Sequence, residues 1–417
     1  QNFIGSNNIN LFEPKGQFGT RRKGGKDAAS ERYIFTQLNK LTRMIFREED
    51  DPILEYINDD GQLVEPRFYV PIIPMSLING CKGIGTGFST EILPYNPIDI
   101  INLLLNKLQN KDYNDDLIPY YNKFIGTIDK ISSTKNKKYI VKGKYNKIND
   151  NKIQITELPI GTWTEDYKEF LESLIDKKRE QKSYIKDYID MSTEDTIDFT
   201  IEFYNGILNE LIIKQTDISG NTNEKINEIE KYLKLYTTLS TSNMHLFDKN
   251  ENLKKYNTIN EIIENYYDLR LEYYDKRKKY EIEFLEKELN ILNNKVKFIN
   301  MNLNDEIDLR KKTQDEIHKM MREKGFYSMN REKEDYKYLI KMPMDSVSQE
   351  NVNKLLKEKN NYEEQLLKLK NKNIENIWLD ELEELEGEYL GEYLSRINDS
   401  EKSEKSEKSE KSEKSEK

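Results

Sequence analysis

Cysteine and histidine are nearly absent from this chain of 417 residues, which contains one cysteine and two histidines. The single Cys81 excludes an internal disulfide framework and a cysteine-based zinc site, and it favours a reducing, intracellular compartment. His245 and His318 lie far along the chain, so we expect no histidine-based metal site in the N-terminal region. Long apolar runs and a basic-then-apolar N-terminus are missing too, so we expect neither a membrane span nor a signal peptide.

Positive charge is in deficit overall, but it is concentrated in one place. The chain has 66 Lys and Arg residues against 76 Asp and Glu residues, a formal net charge of -10. Between Lys15 and Arg47, however, nine basic residues stand against two acidic ones, Asp27 and Glu31. Glycines in residues 16–27 let main-chain N–H groups approach a phosphate, while Lys and Arg neutralise it. This segment, the basic loop, predicts a polyanionic partner.

The basic loop does not have the pattern of a nucleotide-binding P-loop. The P-loop spacing before Lys26 would place Thr20 where a glycine belongs, and Asp27 follows where Ser or Thr should bind magnesium. A solvated, flexible loop is the plain alternative to a phosphate-binding one. Lys26 is the best candidate for a phosphate contact, and Arg21 is a further candidate.

Several long motifs follow one another along the chain. They are Asn7-Asn8-Ile9-Asn10-Leu11, Gly16-Gln17-Phe18-Gly19-Thr20-Arg21, Gly24-Gly25-Lys26-Asp27, Arg32-Tyr33-Ile34-Phe35-Thr36, Tyr69-Val70-Pro71-Ile72-Ile73-Pro74-Met75, Gly83-Ile84-Gly85-Thr86-Gly87, Glu157-Leu158-Pro159 and Thr162-Trp163-Thr164. In this order they resemble the breakage-reunion region of eukaryotic DNA topoisomerase II. The resemblance covers most of the chain, to about Glu386. It implies the C-terminal half of the core of an isomerase that makes a transient double-strand break, passes a second duplex and religates.

The resemblance also implies roles for individual residues. Tyr33 is expected to attack DNA and form a 5′-phosphotyrosyl bond, and Arg32 to stabilise the transition state. Ile84, between glycines, is expected to wedge between base pairs and bend the duplex, although a buried glycine turn is the plain reading. Trp163 is weighed evenly between a DNA contact and core packing. Here the chain departs from the family, with Gly161 where an arginine is usual.

The same resemblance sets expectations for cofactors and partners. Mg²⁺ and ATP would serve the full-length enzyme, bound by regions absent from this chain, which begins with Gln1 and reads as a fragment. No metal ligands are therefore expected here. The partners would be double-stranded DNA and a second copy in a homodimer, located in the nucleus.

Two other functions compete with this interpretation. A non-catalytic, DNA-bending, coiled-coil chromatin protein would explain the basic loop, Ile84 and the long helices, but not the Arg32–Tyr33 pair. A tyrosine recombinase is disfavoured, since it needs Arg and His residues clustered around its nucleophile.

The fold class expected is α+β with several domains. Apolar spacing predicts a helix over residues 32–46 and strands around residues 68–73. Further on, it predicts a helix over residues 100–108, strands near residues 138–145 and 152–156, and an inserted loop over residues 217–228.

The C-terminal part is predicted to contain two long helices. Apolar residues recur at threes, fours and sevens over residues 258–299, which is typical of a long amphipathic helix. A second such helix follows the capping-box spacing from Ser346 to Gln349, and the two could pair antiparallel. Between them lies enough apolar material for a small helical head. From Ser400 the chain is six copies of Ser-Glu-Lys, which cannot form a core.

These elements, together with the resemblance, give five predicted parts. Residues 1–98 would be the C-terminal part of a winged-helix DNA-cleavage domain, and 99–243 an α/β tower-like domain. Residues 244–299 and 346–386 would form the antiparallel coiled coil, and 300–345 the dimerisation head. The last part, 387–417, would be a linker and disordered tail.

Overall fold

The fold is described from a computed structural model, which describes residues 1–113, 116–132, 137–176, 183–217, 225–310, 312–329, 335–343 and 348–391. Helices and small antiparallel sheets are mixed throughout this part of the chain. The expected α+β class is therefore confirmed. The Ser-Glu-Lys tail, Ser346 and most of the predicted insert lie outside the described residues.

Short elements dominate the N-terminal half, and long helices the C-terminal half. The α-helices are Thr42–Ile45, Met75–Ile78, Pro97–Leu108, Thr164–Asp176, Ile207–Ile213, Glu228–Tyr232, Ile259–Leu303, Gln314–Glu323, Lys337–Ile340 and Gln349–Asn371, and residues 374–391 are also helical. Two 3-10 helices are Glu31–Tyr33 and Glu48–Ile53. The strands are Phe12–Lys15, Phe35–Leu38, Tyr56–Asp59, Gln62–Pro66, Cys81–Ile84, Ser89–Ile92, Thr127–Ser132, Lys138–Lys142, Lys144–Asn149, Lys152–Glu157, Ile185–Asp190, Phe199–Phe203, Gln215–Asp217, Lys225–Asn227, Tyr236–Ser240, Met244–Phe247 and Leu253–Tyr256.

The chain divides into two compact units. The first comprises residues 1–48, 68–270 and the described part of 379–417, and the second comprises residues 49–67 and 271–378. The predicted five-part division is a different one and stays a prediction.

The largest sheet of the first unit is four-stranded and antiparallel. Its order is Ile185–Asp190, Phe199–Phe203, Lys152–Glu157 and Lys144–Asn149. Ile153 and Ile155 alternate with polar neighbours, so one face of the central strand is buried under the helix Thr164–Asp176, which contributes Tyr167 and Leu171 to the core. The predicted strand over 152–156 is thus confirmed, and the segment 138–145 is found as two strands instead of one.

The helix predicted over residues 32–46 is wrong. Tyr33 ends a 3-10 turn, and the next residues form the strand Phe35–Leu38, which pairs antiparallel with Phe12–Lys15. Only Thr42–Ile45 is helical. The apolar spacing of Leu38, Leu41 and Ile45 fits a helix, but pairing with a strand more than twenty residues earlier in the sequence overrides it.

The strands predicted around residues 68–73 are also wrong. This stretch is extended but joins no ladder, since prolines at 71 and 74 cannot donate backbone hydrogen bonds. Other elements satisfy its polar groups instead. Ile72 N–H donates to the Ile45 carbonyl (2.9 Å), while the carbonyls of Pro71 and Val70 accept from Tyr266 (2.6 Å) and Arg270 (2.7 Å).

The helix Pro97–Leu108 confirms the one predicted over residues 100–108. Asn96 caps it by accepting from the Ile98 N–H. In the predicted insert, Gln215–Asp217 and Lys225–Asn227 pair as short strands, and Glu228 begins a helix. The described ends of this segment are therefore ordered secondary structure.

The second unit contains most of the helix Ile259–Leu303 and the whole of Gln349–Asn371, which confirms both long helices. Ser348 caps the second one by accepting from the Asn351 N–H. The two helices run in opposite directions. Lys370 pairs with Glu286 (2.6 Å), whereas Lys295 lies beside Asn351 and Leu355 along one groove.

A small cluster lies between these helices in sequence. Phe298, Met321, Phe326 and Leu339 are buried together there, with the helices Gln314–Glu323 and Lys337–Ile340 around them. The expected helical material between the long helices is therefore present.

Candidate functional site

Tyr33 lies at the end of the 3-10 turn Glu31–Tyr33, directly before an edge strand. Its N–H donates to the Ser30 carbonyl at 2.9 Å, which closes the turn. The side chain is 66% exposed, and the Arg32 guanidinium carbon lies 4.9 Å from the centre of its ring. A tight turn therefore presents a hydroxyl to solvent with a permanent positive charge beside it.

The basic loop, residues 16–27, is closed on itself by Asp27. Its carboxylate accepts from Thr20 N–H at 2.8 Å and from the Thr20 hydroxyl at 2.6 Å, while Gly25 N–H donates to the Thr20 carbonyl at 2.9 Å. Slight burial tends to raise the pKa of Asp27, but the Thr20 hydrogen bonds and the charge of Lys23 outweigh it and lower the pKa. The carboxylate therefore remains charged and holds the loop closed at neutral pH.

Arg21 points inward from the loop. Its side chain is 3% exposed and forms a buried ion pair with Glu157, which is 1% exposed and ends the strand Lys152–Glu157. Arg21 also donates to the Leu158 carbonyl at 3.4 Å. In this conformation the guanidinium is occupied by protein groups and does not face solvent.

Lys26 has the opposite placement. It is exposed and makes no ion pair with any residue in the described ranges. Arg22 and Lys23 are exposed as well, but their side chains lie 3.9 Å and 3.5 Å from the Glu165 carboxylate. Of the predicted phosphate contacts in the loop, Lys26 is thus the one presented to solvent.

Trp163 packs under the basic loop. Its indole lies against Gly24 so closely that a Cβ there would be 2.3 Å from Cε2, and Phe3 contacts the ring edge-to-face at 5.7 Å. The next turn adds a backbone bond, since Glu165 N–H donates to the Arg22 carbonyl at 3.0 Å. Of the two roles weighed for Trp163, packing is the one that these contacts describe.

Ile84 lies at the tip of a two-stranded hairpin formed by Cys81–Ile84 and Ser89–Ile92. It is 89% exposed, the most exposed of the large apolar side chains in the described part of the chain. A second segment braces the hairpin. Asn243 donates to the Ser89 hydroxyl (2.8 Å), and the Thr90 hydroxyl donates to the His245 carbonyl (2.8 Å).

A family model for the DNA gyrase/topoisomerase IV A-type polypeptide matches residues 1–383 of the chain. The chain belongs to this family. Among curated proteins, it is 38% identical to DNA topoisomerase 2 of Plasmodium falciparum and 36% identical to DNA topoisomerase 2-alpha of Cricetulus griseus, each over 93% of this chain. Those alignments cover 28% and 26% of the relatives, so the chain spans little more than a quarter of their length.

Solved structures give the same result. The crystal structure of the P. falciparum topoisomerase II DNA-binding, cleavage and re-ligation domain matches with a TM-score of 0.83 at 38% identity. The match covers 96% of this chain and 55% of that one. The motif resemblance to eukaryotic topoisomerase II is therefore confirmed over most of the chain.

Two kinds of site are not found in this topoisomerase-family chain, as far as it is described. No three Asp, Glu, His or Cys side chains there come together as metal ligands. Within the same residues, every helix is too short or too polar to cross a membrane.

Three residues around the site have little signal in the sequence. Glu157 is only the end of a predicted strand, Glu165 has no distinguishing feature, and Asn243 lies at a predicted domain boundary. A buried acid at the end of an alternating strand is a weak signal that a basic partner exists. Nothing in the sequence says that the partner is Arg21, 136 residues away.

Proposed function

We propose that this chain is the C-terminal half of the breakage-reunion core of a eukaryotic type II DNA topoisomerase. In the full-length enzyme, one duplex would pass through a transient double-strand break in another, with ATP driving the gate motions. The observation that carries the proposal is the exposed Tyr33 hydroxyl beside Arg32, six residues after the exposed Lys26 of the basic loop.

Tyr33 would act as the nucleophile. Its phenolic oxygen attacks a backbone phosphorus, the bond from phosphorus to the 3′ oxygen breaks, and the 3′-hydroxyl leaves with a proton. The product is a 5′-phosphotyrosyl bond, which retains the phosphodiester energy. Attack by the 3′-hydroxyl then reverses the step, so religation itself needs no ATP.

Arg32 would stabilise the charge that develops on the phosphate. A guanidinium can donate two parallel hydrogen bonds to phosphate oxygens, which a lysine cannot do. In the structure the guanidinium rests over the Tyr33 ring at 4.9 Å. It would turn from the ring face to the phosphate when DNA binds, and the backbone turn would keep it within reach.

Lys26 would hold a neighbouring phosphate, and Ile84 would enter the base stack. Inserting an apolar wedge costs a few kcal/mol of unstacking, which contacts to the bent duplex offset. The exposed hairpin tip fits this role. Arg21 and Trp163, which the sequence suggested as DNA contacts, are more simply assigned to holding the basic loop, because both side chains are engaged from within the protein.

Cleavage of both strands would need two copies of the chain, since each supplies one Tyr33. We propose a two-fold homodimer, in which the antiparallel helices form a coiled coil and residues 300–345 a dimerisation head. The winged-helix and tower-like domains would occupy residues 1–98 and 99–243. The enzyme would work in the nucleus, and its Mg²⁺ and ATP would be bound by regions outside this chain, because the described residues offer no metal-ligand cluster.

The competing proposal, a non-catalytic DNA-bending chromatin protein, is not favoured. It leaves the exposed Arg32–Tyr33 pair unexplained, and it does not account for a family match across residues 1–383.

The test uses an extended enzyme, in which the chain is joined to the N-terminal regions that its curated relatives carry. Tyr33→Phe should abolish covalent protein–DNA adducts, measured on denaturing gels, and leave duplex affinity within about twofold, since the phenyl ring and Lys26 remain. Tyr69→Phe is the matched control, another exposed tyrosine of the same unit, and should form adducts normally. Adducts that persist in Tyr33→Phe would refute the assignment.

A further inference from the structure

The buried pair of Arg21 and Glu157 joins the basic loop to the end of a sheet strand. Each Glu157 oxygen is engaged. One is held by Arg21 and by the Leu158 N–H (2.9 Å), and the other accepts from the Ile125 N–H at 3.4 Å. A buried carboxylate is costly unless it is paired and hydrogen-bonded in this way, so removal of either partner leaves an uncompensated charge.

The pair is one of three attachments between the loop and residues 157–165. The others are the packing of Gly24 on Trp163 and the bond from Glu165 N–H to the Arg22 carbonyl. Together they fix residues 21–24. At the base of the loop, Ala29 N–H donates to the Gln17 carbonyl at 2.8 Å, just before the turn that holds Tyr33.

We propose that Glu157 and Arg21 are positioning residues for the cleavage reaction. The pair fixes the basic loop, and the loop in turn sets where Lys26 and the turn bearing Tyr33 meet the DNA backbone. Misplacing a reacting group by a fraction of an ångström to 1 Å costs rate even when binding is intact, which is why such a support matters. The proposal rests on the function proposed above, and it assigns to Arg21 a role without phosphate contact.

The first test follows loop docking in the chain itself, with trypsin and mass spectrometry of early cleavage products. Glu157→Gln and Arg21→Met should raise the rate of cleavage after Arg22, Lys23 or Lys26 about tenfold, because the freed loop enters the protease more often. Glu165→Gln is the matched control. It removes only exposed ion pairs, so its rate should change less than about twofold. Wild-type protection in a folded Glu157→Gln protein would overturn the proposal.

The second test separates positioning from phosphate contact by the salt dependence of duplex binding. Loss of one phosphate contact lowers the slope of log affinity against log salt by about 1. We expect that decrease for Lys26→Met and no change for Arg21→Met. A decrease for Arg21→Met, with the loop still protected from trypsin, would show a direct contact and overturn the proposal.

The third test measures adduct formation by the extended enzyme at saturating DNA. Glu157→Gln should slow it about tenfold with unchanged duplex affinity. A folded variant that cleaves at the wild-type rate would overturn the proposal, whereas adducts in Tyr33→Phe would instead sink the underlying function. Should the single variants unfold, the double variant Arg21→Met/Glu157→Met replaces the charge pair by apolar groups, which a core tolerates better. It should fold and still cleave slowly, and wild-type cleavage by it would count against the pair.

Discussion

Gly24 lies against the indole of Trp163 with no room for a side chain. An added Cβ would come within 2.3 Å of Cε2 and 2.4 Å of Nε1, and the backbone φ of +60° is in the left-handed region. Both the space and the conformation therefore require glycine at this position.

Gly24→Ala should therefore open the basic loop. We expect a strain of about 1 kcal/mol from the positive φ and a further cost of about 1–3 kcal/mol from overpacking against the indole. Hydrogen exchange of peptides covering residues 16–27 should become faster, including at Gly25 N–H, which bonds to the Thr20 carbonyl.

Gly161→Ala is the matched control for this prediction. Its φ is +84°, and nothing lies within 4 Å of the added Cβ, so it carries the conformational strain without the collision. Equal exchange in the loop of both variants would contradict the packing role of Trp163.

Ile84→Ala should reduce DNA bending far more than DNA affinity. The side chain is 89% exposed, so its removal costs the free protein little, whereas on DNA it removes contacts that exist only in the bent state. In the extended enzyme, we expect a bent fraction reduced about tenfold by energy transfer and an affinity within about threefold of wild type.

Ile213→Ala serves as the comparison for the wedge. Ile213 is 79% exposed at the end of the helix Ile207–Ile213 and has no proposed DNA contact. Bending should be unchanged in this variant. If Ile84→Ala bends DNA as well as Ile213→Ala does, the wedge role is wrong.

Much of this architecture can be predicted from local sequence pattern, where local pattern decides the structure. The helix Ile259–Leu303 is an example, because its apolar residues repeat with helical spacing over many turns. Ile84 is another, since a β-branched residue between glycines at a hairpin tip has little to pack against, and the side chain is indeed exposed.

The failures come from contacts between distant parts of the chain. Residues 35–38 form a strand because Phe12–Lys15 lies beside them, and the run of Val70, Ile72 and Ile73 stays outside any sheet because prolines remove the donors that a ladder needs.

Arg21 shows the same limit at the site. Within a run of Lys and Arg, every basic side chain has the same local pattern, and only the fold selects the one that turns inward to Glu157. Which cation contacts a phosphate is therefore decided by tertiary packing, and composition alone identifies the loop but not its contacts.

Mixed dimers should nick DNA. If each copy supplies one Tyr33, a dimer that combines one wild-type copy with one Tyr33→Phe copy, isolated through two different tags on the extended enzyme, can attack one strand only. We expect covalent single-strand breaks and no double-strand breaks on a supercoiled plasmid. Double-strand breaks from the mixed dimer would contradict the requirement for two chains, and a mixed dimer of wild type and Tyr69→Phe should cut both strands.

The closure of the basic loop should weaken in acid because of Asp27. Its pKa is lowered in the folded chain by the Thr20 hydrogen bonds and Lys23, in spite of the opposing effect of burial. A carboxyl group with a lowered folded-state pKa contributes stability above its ordinary pKa, and that stability is lost as the pH falls through the folded value. The relevant window is about pH 5 to 3.

Asp27→Asn isolates this contribution, since the amide cannot be charged at any pH. At pH 6 the variant should melt below wild type by about 1–2 °C, a small difference because the group is largely exposed and the chain is long. The gap should close as the pH approaches 3, where wild-type Asp27 also loses its charge. Scanning calorimetry of both proteins between pH 6 and pH 3 measures it, and a gap that stays constant over this range would show that the carboxylate charge does not hold the loop closed.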